Sequence, residues 1–342
     1  MGILSFIKKG GHTPLLFLFT LLFFFITISN SKPYAYISDE NLGVYVVDLK
    51  TLRLIKTIPL RKWGIRGIGV VKNGKYIVAA AKKRRSLVVI DTGNYKVVKE
   101  IKIGDNPEFV KVSPFGNTIF ATYELKGKEE RAFIVAVDAK RWKKVFGFVG
   151  GSESEGMTFS KDSRYLIVAN EGEHSLSVFD LKLKKKVREI ELREYGKRPR
   201  GLNTSPDGNY YVVTFESSND LLVLDRNFTP VKKTKTSLGP YGVTFSPNGK
   251  RVVVASFRAH KLEIFSFPEL QKVGEVQTGK RCWHFSYSPD ASKLIVPCGR
   301  SQEVLIFDAE SLKLLKRIKL KSGKPWGAVT YPRAWGSIDT PF

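Results

Sequence analysis

One stretch of the sequence reads PYGVTFSPNGK and extends from Pro240 to Lys250. It joins a run of β-branched and aromatic residues, Tyr241–Ser246, to the turn Pro247-Asn248-Gly249. Proline presets φ and glycine accepts a positive φ, so this turn reverses the chain. A second β-prone run, Arg251–Ser256, follows directly. The stretch therefore predicts two adjacent antiparallel strands joined by a tight turn.

The same turn recurs along the chain, at intervals of 41 to 47 residues. Its seven copies are Lys72-Asn73-Gly74, Pro114-Phe115-Gly116, Lys161-Asp162-Ser163, Pro206-Asp207-Gly208, Pro247-Asn248-Gly249, Pro289-Asp290-Ala291 and Pro332-Arg333-Ala334. A second marker with the same period is an apolar strand that ends in an acid, at Asp48, Asp91, Asp138, Asp180, Asp225 and Asp308, with Ser266 in the sixth copy. Because the acid recurs in nearly every unit, we expect it to make turn hydrogen bonds and no catalytic contribution.

Each unit contains four short strands, which in the unit around residue 245 are Tyr241–Ser246, Arg251–Ser256, Leu262–Phe267 and Val273–Val276. Four strands in about 40–45 residues are typical of one blade of a β-propeller. The pattern thus predicts an all-β fold, a seven-bladed β-propeller formed by residues 32–342 as a single domain.

The two ends of the repeat indicate how the ring closes. After residue 31, Tyr34–Asp39, Leu42–Asp48 and Leu52–Ile58 match a second, third and fourth strand, and the first strand is missing. At the other end, Trp326–Tyr331 is a lone first strand followed by a tail. We therefore expect a blade shared between the N- and C-termini, which removes open sheet edges.

Residues 1–31 have the composition of a secretory signal peptide. Lys8 and Lys9 precede an apolar run from Leu15 to Ile28, and small polar residues follow it. As a helix this run reaches about 21 Å, which is short of a hydrocarbon core of about 30 Å. The leader predicts a periplasmic or secreted protein, with an uncleaved N-terminal membrane anchor as the alternative.

The charge composition limits the kinds of binding partner to be expected. The formal net charge is +25, and loss of the two lysines in the leader would lower it to +23. Such a charge attracts anions, but an exported protein rarely meets nucleic acid, so nucleic-acid binding is not expected. Membrane contact is expected only through the leader or surface charge. Many lysines fall on the predicted fourth strands, where they discourage edge pairing and favour a monomer.

Several strands resemble the YVTN-type propeller repeat. Tyr165–Asn170 and Tyr210–Thr214 are similar to its signature strand, and Ser175–Asp180 is similar to the strand that follows. The resemblance covers essentially all of residues 32–342. It implies kinship with the haem d1 propeller of cytochrome cd1 nitrite reductase, with maturation factors for that haem and with propeller lactonases. Fold alone does not choose among these functions.

Alignment of the seven units on their turns places one residue per blade at one mouth of the central channel. We call this set the mouth ring, and it consists of Arg66, Glu108, Glu155, Arg200, Tyr241, Trp283 and Trp326. Two acids flanked by arginines form one arc, and three aromatic residues form the other. A planar ligand with carboxylates would suit such a mouth. In the alternative interpretation these side chains plug the channel and neutralise one another.

Three histidines of the propeller are predicted to face the same mouth. His284 follows Trp283 and stands where five of its six counterparts have glycine, while His174 and His260 share a loop position. Neutral imidazole ligates metals and haem iron, so these residues are candidates for a d1-like tetrapyrrole or a metal. Solvent-exposed loop histidine is the alternative for His174 and His260.

The only two cysteines, Cys282 and Cys298, lie in one unit. They exclude a disulfide-rich scaffold and a four-cysteine zinc site. They flank the Pro289-Asp290-Ala291 turn symmetrically, so a loop that pairs Ser288 with Ser292 would place them opposite one another. An exported compartment permits a disulfide there.

Three functions follow from these observations. The first is an exported binding or scaffold propeller with a protein partner or a small anionic or planar ligand at the mouth, without a committed catalytic set. The second is a cytochrome d1-like haem-binding or haem-maturation protein that uses His284. The third is a lactonase-like hydrolase that uses Glu108 or Glu155 with a metal. The motifs CxxCH, HExxH and GxSxG are absent from the sequence, which excludes covalent c-type haem and the familiar zinc protease and serine hydrolase signatures.

Overall fold

The computed structural model of the protein describes residues 32–71, 73–124 and 131–339, so the predicted leader lies outside the described residues. These residues form seven antiparallel sheets of four strands each. Blade 1 consists of β1 (Tyr34–Asp39), β2 (Gly43–Asp48), β3 (Arg53–Pro59) and the last strand, β28 (Pro325–Tyr331). Blade 2 consists of β4 (Ile65–Val71), β5 (Tyr76–Ala81), β6 (Ser86–Asp91) and β7 (Val97–Lys102), with a 3-10 turn at Lys82–Arg84. Blade 3 consists of β8 (Val110–Val112), β9 (Thr118–Glu124), β10 (Ala132–Asp138) and β11 (Lys143–Val149).

The remaining blades repeat this order. Blade 4 consists of β12 (Ser154–Phe159), β13 (Tyr165–Asn170), β14 (Ser175–Asp180) and β15 (Lys185–Glu191). Blade 5 consists of β16 (Pro199–Thr204), β17 (Tyr210–Phe215), β18 (Asp220–Asp225) and β19 (Pro230–Lys235). Blade 6 consists of β20 (Pro240–Phe245), β21 (Arg251–Ser256), β22 (Lys261–Ser266) and β23 (Lys272–Gln277). Blade 7 consists of β24 (Ser286–Tyr287), β25 (Lys293–Cys298), β26 (Glu303–Asp308) and β27 (Leu314–Lys319). The prediction of an all-β, seven-bladed propeller is confirmed.

In blade 1, strands from the two ends of the chain lie side by side. β28 pairs antiparallel with β1, with Tyr331 opposite Tyr34 and Gly327 opposite Ser38. First strands run from the mouth to the opposite end of the channel, which we call the base, and the repeated turns lie at the base. Because β1 is a second strand, the chain enters it from the base, where the Pro33 carbonyl accepts a hydrogen bond from the Leu49 amide.

The repeated acid at the end of each third strand orders the turn that follows. The Oδ1 of Asp48 accepts hydrogen bonds from the amides of Lys50 and Thr51, at 2.8 and 3.0 Å. The Oδ1 of Asp308 does the same for Glu310 and Ser311, at 3.1 and 2.8 Å. The predicted role of this acid in the turn is thereby confirmed.

The inner strands of each blade are more deeply buried than the outer strands. β20 is buried at every position, whereas β19 is exposed or half-buried throughout. Fourth strands mix lysines with exposed apolar residues such as Val231 and Val273. Among the described residues there is no helix of the length and apolar character needed to cross a membrane.

The segment after β28 enters the channel from the base. The sequence predicted a tail there but not its position inside the channel. Trp335 is 2% exposed, and its Nε1 donates a hydrogen bond of 2.7 Å to the Phe245 carbonyl. The Asn203 amide donates to the Gly336 carbonyl at 2.8 Å. Asp339 accepts from Ser286 Oγ at 3.2 Å, and its carbonyl accepts from the buried Lys111 ammonium. We call residues 332–339 the channel tail.

Candidate functional site

A β-bulge aims each of several mouth-ring side chains at the channel. The register of the first hairpin shifts between Ile65 and Ile68, and the same shift recurs at residues 154–157, 199–202 and 240–243. The two residues inside each bulge are a mouth-ring residue and a glycine. Because a bulge bends its strand and redirects a side chain, it accounts for the convergence of residues from different blades.

The glycine beside each mouth-ring residue permits neighbouring blades to approach closely. A Cβ on Gly201 would lie 2.0 Å from the Tyr241 carbonyl oxygen, and one on Gly156 would lie 2.2 Å from that of Arg200. The amide of Gly242 donates to the Trp283 carbonyl at 3.0 Å. Glycine is therefore required at Gly156 and Gly201, where successive first strands approach most closely.

The first charged cluster of the mouth centres on Arg66. Its Nε contacts Glu40 at 2.7 Å, and its Nη1 contacts Glu108. Glu40 also forms ion pairs with Lys324 at 2.7 Å and with Arg281 at 3.5 Å. Burial, followed by repulsion from Glu155, raises the pKa of Glu108 to about 7. One carboxylate, Glu40, is thus shared by three cations.

The second charged cluster centres on Arg200. This guanidinium contacts Glu155 and Glu171, and it contacts Glu216 at 2.9 Å. Arg198, which immediately precedes the strand of Arg200, reaches Glu171 at 2.6 Å. The acids and arginines of the ring therefore pair with one another, as the plug interpretation requires.

The aromatic arc packs against the second cluster. Tyr241 and Trp283 stack with ring centroids 5.4 Å apart, and Arg200 lies 4.5 Å from the Tyr241 centroid. The Tyr241 hydroxyl donates to Glu155 at 3.0 Å. Trp326 is 1% exposed, so it contributes to the core beneath the mouth and not to its surface.

His284 lies below the ring and not at its surface, contrary to the sequence prediction. It is 2% exposed, and its ring centroid lies 4.5 Å from that of Trp326 and 5.1 Å from that of Tyr241. Its Nδ1 is 3.1 Å from Ser337 Oγ of the channel tail, while its Nε2 is buried with no partner among the described residues. Burial and nearby positive charge lower its pKa to about 3. Because Ser337 occupies Nδ1 and the imidazole is buried among the rings of Trp326 and Tyr241, the arrangement does not fit an axial ligand to a haem.

The other two histidines lie in mouth-side turns of different blades. His174 Nδ1 accepts a hydrogen bond of 3.1 Å from the Arg198 amide. His260 belongs to blade 6, so the structure does not join the three histidines into one site. In the part of the chain that the structure describes, no group of three or more His, Cys, Asp or Glu residues is arranged to hold a metal ion.

A basic cavity of about 350 Å³ opens between blades 6 and 7, beside the aromatic arc. We call it the blade 6–7 pocket, and its lining residues are Phe257, Arg258, His260, Lys280, Arg281, Trp283 and Arg300. The Arg281 guanidinium lies 3.8 Å from the Trp283 ring centroid. Arg258 pairs with Glu216 at 2.6 Å. Lys280 and Arg300 are exposed and have no carboxylate partner within the described residues, so the pocket has excess positive charge.

A disulfide lies within the blade 7 wall of this pocket. The Sγ atoms of Cys282 and Cys298 are 2.05 Å apart. The hairpin register differs from the expected pairing of Ser288 with Ser292, since Tyr287 lies opposite Leu294 and the Ser288 amide bonds to the Lys293 carbonyl. In four other blades, the β-bulge shifts the pairing of the first and second strands by one residue near the mouth. The same one-residue shift in blade 7 places Cys282 opposite Cys298. The bond fixes Arg281 and Trp283 relative to Arg300.

Several residues of the site were not predicted from the sequence. Glu40, Glu171 and Glu216 each follow the last residue of a second strand, and Lys82 occupies the same repeat position. Alignment of the second-strand ends, in addition to the turns, would have identified these partners. Arg258 and Arg300 each lie two residues after the end of a second strand, one position beyond that of these glutamates.

Three comparisons place the chain among known proteins. Residues 144–238 match the family described as lactonase, 7-bladed beta-propeller. Hydrazine synthase subunit beta of Kuenenia stuttgartiensis is 24% identical over 223 residues, which cover 52% of this chain and 58% of that subunit. The match therefore spans little more than half of that relative.

Solved structures with the same fold are more distant in sequence. The Pseudomonas aeruginosa periplasmic gluconolactonase PpgL has a TM-score of 0.71 and 14% identity, over 88% of this chain and 99% of that one. Dihydro-heme d1 dehydrogenase NirN in complex with DHE has a TM-score of 0.67 and 17% identity, over 87% of this chain and 74% of that one. At these identities the likeness shows the fold alone. The chain is a seven-bladed β-propeller, similar over part of its length to the lactonase propellers.

Proposed function

We propose that this protein is a binding propeller that captures a small anionic ligand, with a planar or ring-shaped part, in the blade 6–7 pocket. The observation that supports this function is the excess of cations around Trp283 and Phe257. Arg281 and Arg258 are partly neutralised by Glu40 and Glu216. Lys280 and Arg300 have no such partner among the described residues, so they remain available to an incoming anion.

The chemistry of the pocket favours carboxylate or phosphate groups. Guanidinium groups bind such anions bidentately, and an aromatic face accepts a planar ring. Tyr241 stacks on the Trp283 ring at 5.4 Å, and the Arg281 guanidinium lies 3.8 Å from the ring centroid, so a planar ligand would stack on this guanidinium or displace it from the indole. A cavity of about 350 Å³ is at the lower end of the range for small-molecule sites.

Tetrapyrrole carboxylates belong to this ligand class, and the NirN structure has a bound group that its description calls DHE. In this chain such a ligand would bind through its acid groups to Arg281 and Arg300. It would not bind through iron to His284, because that imidazole is covered. We therefore treat a porphyrin dicarboxylate as one of the ligands to test.

Lactone hydrolysis is a second candidate, and the carboxyl pair of the mouth favours it. The pKa of Glu108 is raised to about 7, which suits a general acid or base at neutral pH. Glu155 adjoins it in the ring and accepts from Tyr241. Assay of a lactone panel with wild type, Glu108→Gln and Glu155→Gln tests this function. Equal background rates for all three proteins would reject it.

We also propose that the protein acts outside the cytoplasm. The leader composition of residues 1–31 and the Cys282–Cys298 bond support this location, because disulfides persist in oxidising compartments. Mass measurement of protein recovered from its own source tests both points. A chain that begins at Met1 and has two free thiols would contradict the location.

Calorimetric titration tests the binding function, with citrate, inorganic phosphate, a sugar phosphate and a porphyrin dicarboxylate as probes. We expect at least one probe to bind, and Lys280→Ala/Arg300→Ala to weaken it about tenfold or more, since hydrogen bonds between charged groups contribute about 1.5–3 kcal/mol each. The matched control is Lys99→Ala/Lys316→Ala, which removes the same charge from fourth strands. The proposal fails if no probe binds or if the control weakens binding equally.

A further inference from the structure

A second group of exposed cations lies on the mouth face, away from the blade 6–7 pocket. We call it the basic arc, and its residues are Arg61, Lys62, Lys83 and Lys321. All four are exposed, and no carboxylate of the described residues pairs with them. Their neighbours differ, because Arg84 pairs with Glu100 at 2.9 Å and Arg85 pairs with Asp105 at 2.6 Å.

Hydrogen bonds show that the loops of the basic arc are contiguous. The Asn41 side-chain amide donates to the Ser322 carbonyl at 3.1 Å, which joins the loop of Lys321 to blade 1. The Leu60 amide donates to the Leu42 carbonyl at 2.9 Å, next to Arg61. The Lys83 amide donates to the Trp63 carbonyl at 2.9 Å, next to Lys62. The arc is therefore one patch that extends from the end of blade 7 to blade 2.

The layer beneath the basic arc does not neutralise it. Glu40 is the carboxylate at its centre, and it is already shared by Arg66, Arg281 and Lys324. The opposite sector of the mouth face differs, since Glu173, Glu191 and Glu194 are exposed there beside Arg193 and Lys197, and Glu153 pairs with Arg198 at 3.3 Å. Charges of both signs alternate in that sector, whereas the basic arc has cations without carboxylate partners among the described residues.

We infer that the basic arc is a docking surface for the acidic face of a protein partner. A partner with carboxylates on one side would face Arg61, Lys62, Lys83 and Lys321, where no carboxylate of the described residues competes for the cations. This surface does not overlap the blade 6–7 pocket, so the inference is independent of the proposed ligand.

An anionic membrane is the competing partner, and the composition of the loops favours the protein. No large apolar side chain is exposed in the described loops 59–65, 82–85 and 319–325, so the arc offers nothing to insert into a bilayer. Trp63 is only partly buried, but the Arg84 guanidinium covers it at 4.9 Å.

The test uses poly-L-glutamate as the carboxylate probe and phosphatidylglycerol vesicles as the membrane probe. Zero-length carbodiimide coupling to poly-L-glutamate, followed by peptide mass mapping, is expected to consume Lys62, Lys83 and Lys321 before fourth-strand lysines. The charge reversal Arg61→Glu/Lys62→Glu/Lys83→Glu/Lys321→Glu is expected to weaken poly-L-glutamate binding about tenfold or more at low salt. The matched control is Lys99→Glu/Lys185→Glu/Lys232→Glu/Lys316→Glu, which changes the net charge equally and should weaken binding less than threefold.

Three results would overturn the inference. Coupling spread evenly over the fourth-strand lysines would show that net charge alone attracts the probe, and wild-type protein is sufficient for this measurement. Equal losses in the two quadruple variants would show the same. Vesicle binding that depends on the arc, without poly-L-glutamate binding, would assign the arc to a membrane.

Discussion

The two ends of the central channel are closed by different means. At the base, the channel tail inserts apolar side chains, Trp335 and Ile338, each 2% exposed. At the mouth, Arg66 and Arg200 join carboxylates from several blades while remaining 14% and 13% exposed. The base is packed like a protein core, whereas the mouth is a polar layer next to solvent.

The charges at the two ends differ in the same way. The base has one buried pair, Lys111 and Asp339, for which burial lowers the lysine pKa and raises the aspartate pKa, each to about 7. At the mouth, Glu40 keeps two cationic partners when any one of its three cations leaves it. The base therefore serves stability, and the mouth is the end of the channel where charged groups meet solvent.

Removal of the channel tail should have the largest effect on stability. A chain that ends at Pro332 loses the burial of Trp335 and Ile338, one hydrogen bond of Asn203 and the partner of the buried Lys111 ammonium. We expect a loss of about 5 kcal/mol in the free energy of unfolding, because each deleted apolar side chain contributes about 2–5 kcal/mol. Chemical denaturation measures this loss.

The control for the tail is Phe115→Ala, which removes an exposed aromatic residue, 78% accessible, from the same end of the channel. It should change stability by less than about 0.5 kcal/mol. If the truncated chain and Phe115→Ala have the same midpoint, the tail does not close the base.

Loss of the disulfide should have the next largest effect. Cys282→Ala/Cys298→Ala opens a loop with a sequence separation of 16 residues and should lower stability by about 3 kcal/mol. Because the bond fixes Arg281 and Trp283 relative to Arg300, the variant should also weaken ligand binding at temperatures where it remains folded. Denaturation and calorimetric titration measure the two effects. Unchanged affinity would show that the pocket walls do not need the bond.

A methyl group between blades should reduce stability by a smaller amount. Gly201→Ala places a Cβ 2.0 Å from the Tyr241 carbonyl oxygen, so blades 5 and 6 must separate. We expect a loss of about 2 kcal/mol, within the usual range for overpacking. The control is Gly93→Ala, whose Cβ would meet only the Asp91 side chain at 3.2 Å. A loss equal to that of the control would refute the close contact.

The sequence was sufficient to predict the seven blades, but it did not predict which residues fill the central channel. Periodic turns specify local hairpins, so the strands and the mouth ring followed from spacing. The tail has no periodicity, and its contacts with Asn203 and Phe245 join residues far apart in sequence. His284 was misplaced because its burial depends on that tail and on rings from three other blades.

The pH dependence of the mouth is the smallest expected effect. The folded-state pKa of Glu108 is raised from 4.5 to about 7, so the folded protein binds more protons than the unfolded chain between those values. The contribution of this group to stability is full below about pH 4.5 and is lost as the pH rises through 7. Glu108→Gln cannot ionise, so its stability relative to wild type should rise between pH 5 and pH 8.

Thermal unfolding across that pH range measures this difference, and subtraction of the wild-type curve removes other titrating groups such as His284 and the Lys111–Asp339 pair. Glu310→Gln is the control, because the Glu310 side chain is 83% exposed, and its difference from wild type should not vary with pH. A Glu108→Gln difference that is equally constant would mean that Glu108 is fully ionised at pH 5. The mouth would then be a permanent set of ion pairs, as fixed as the packing at the base.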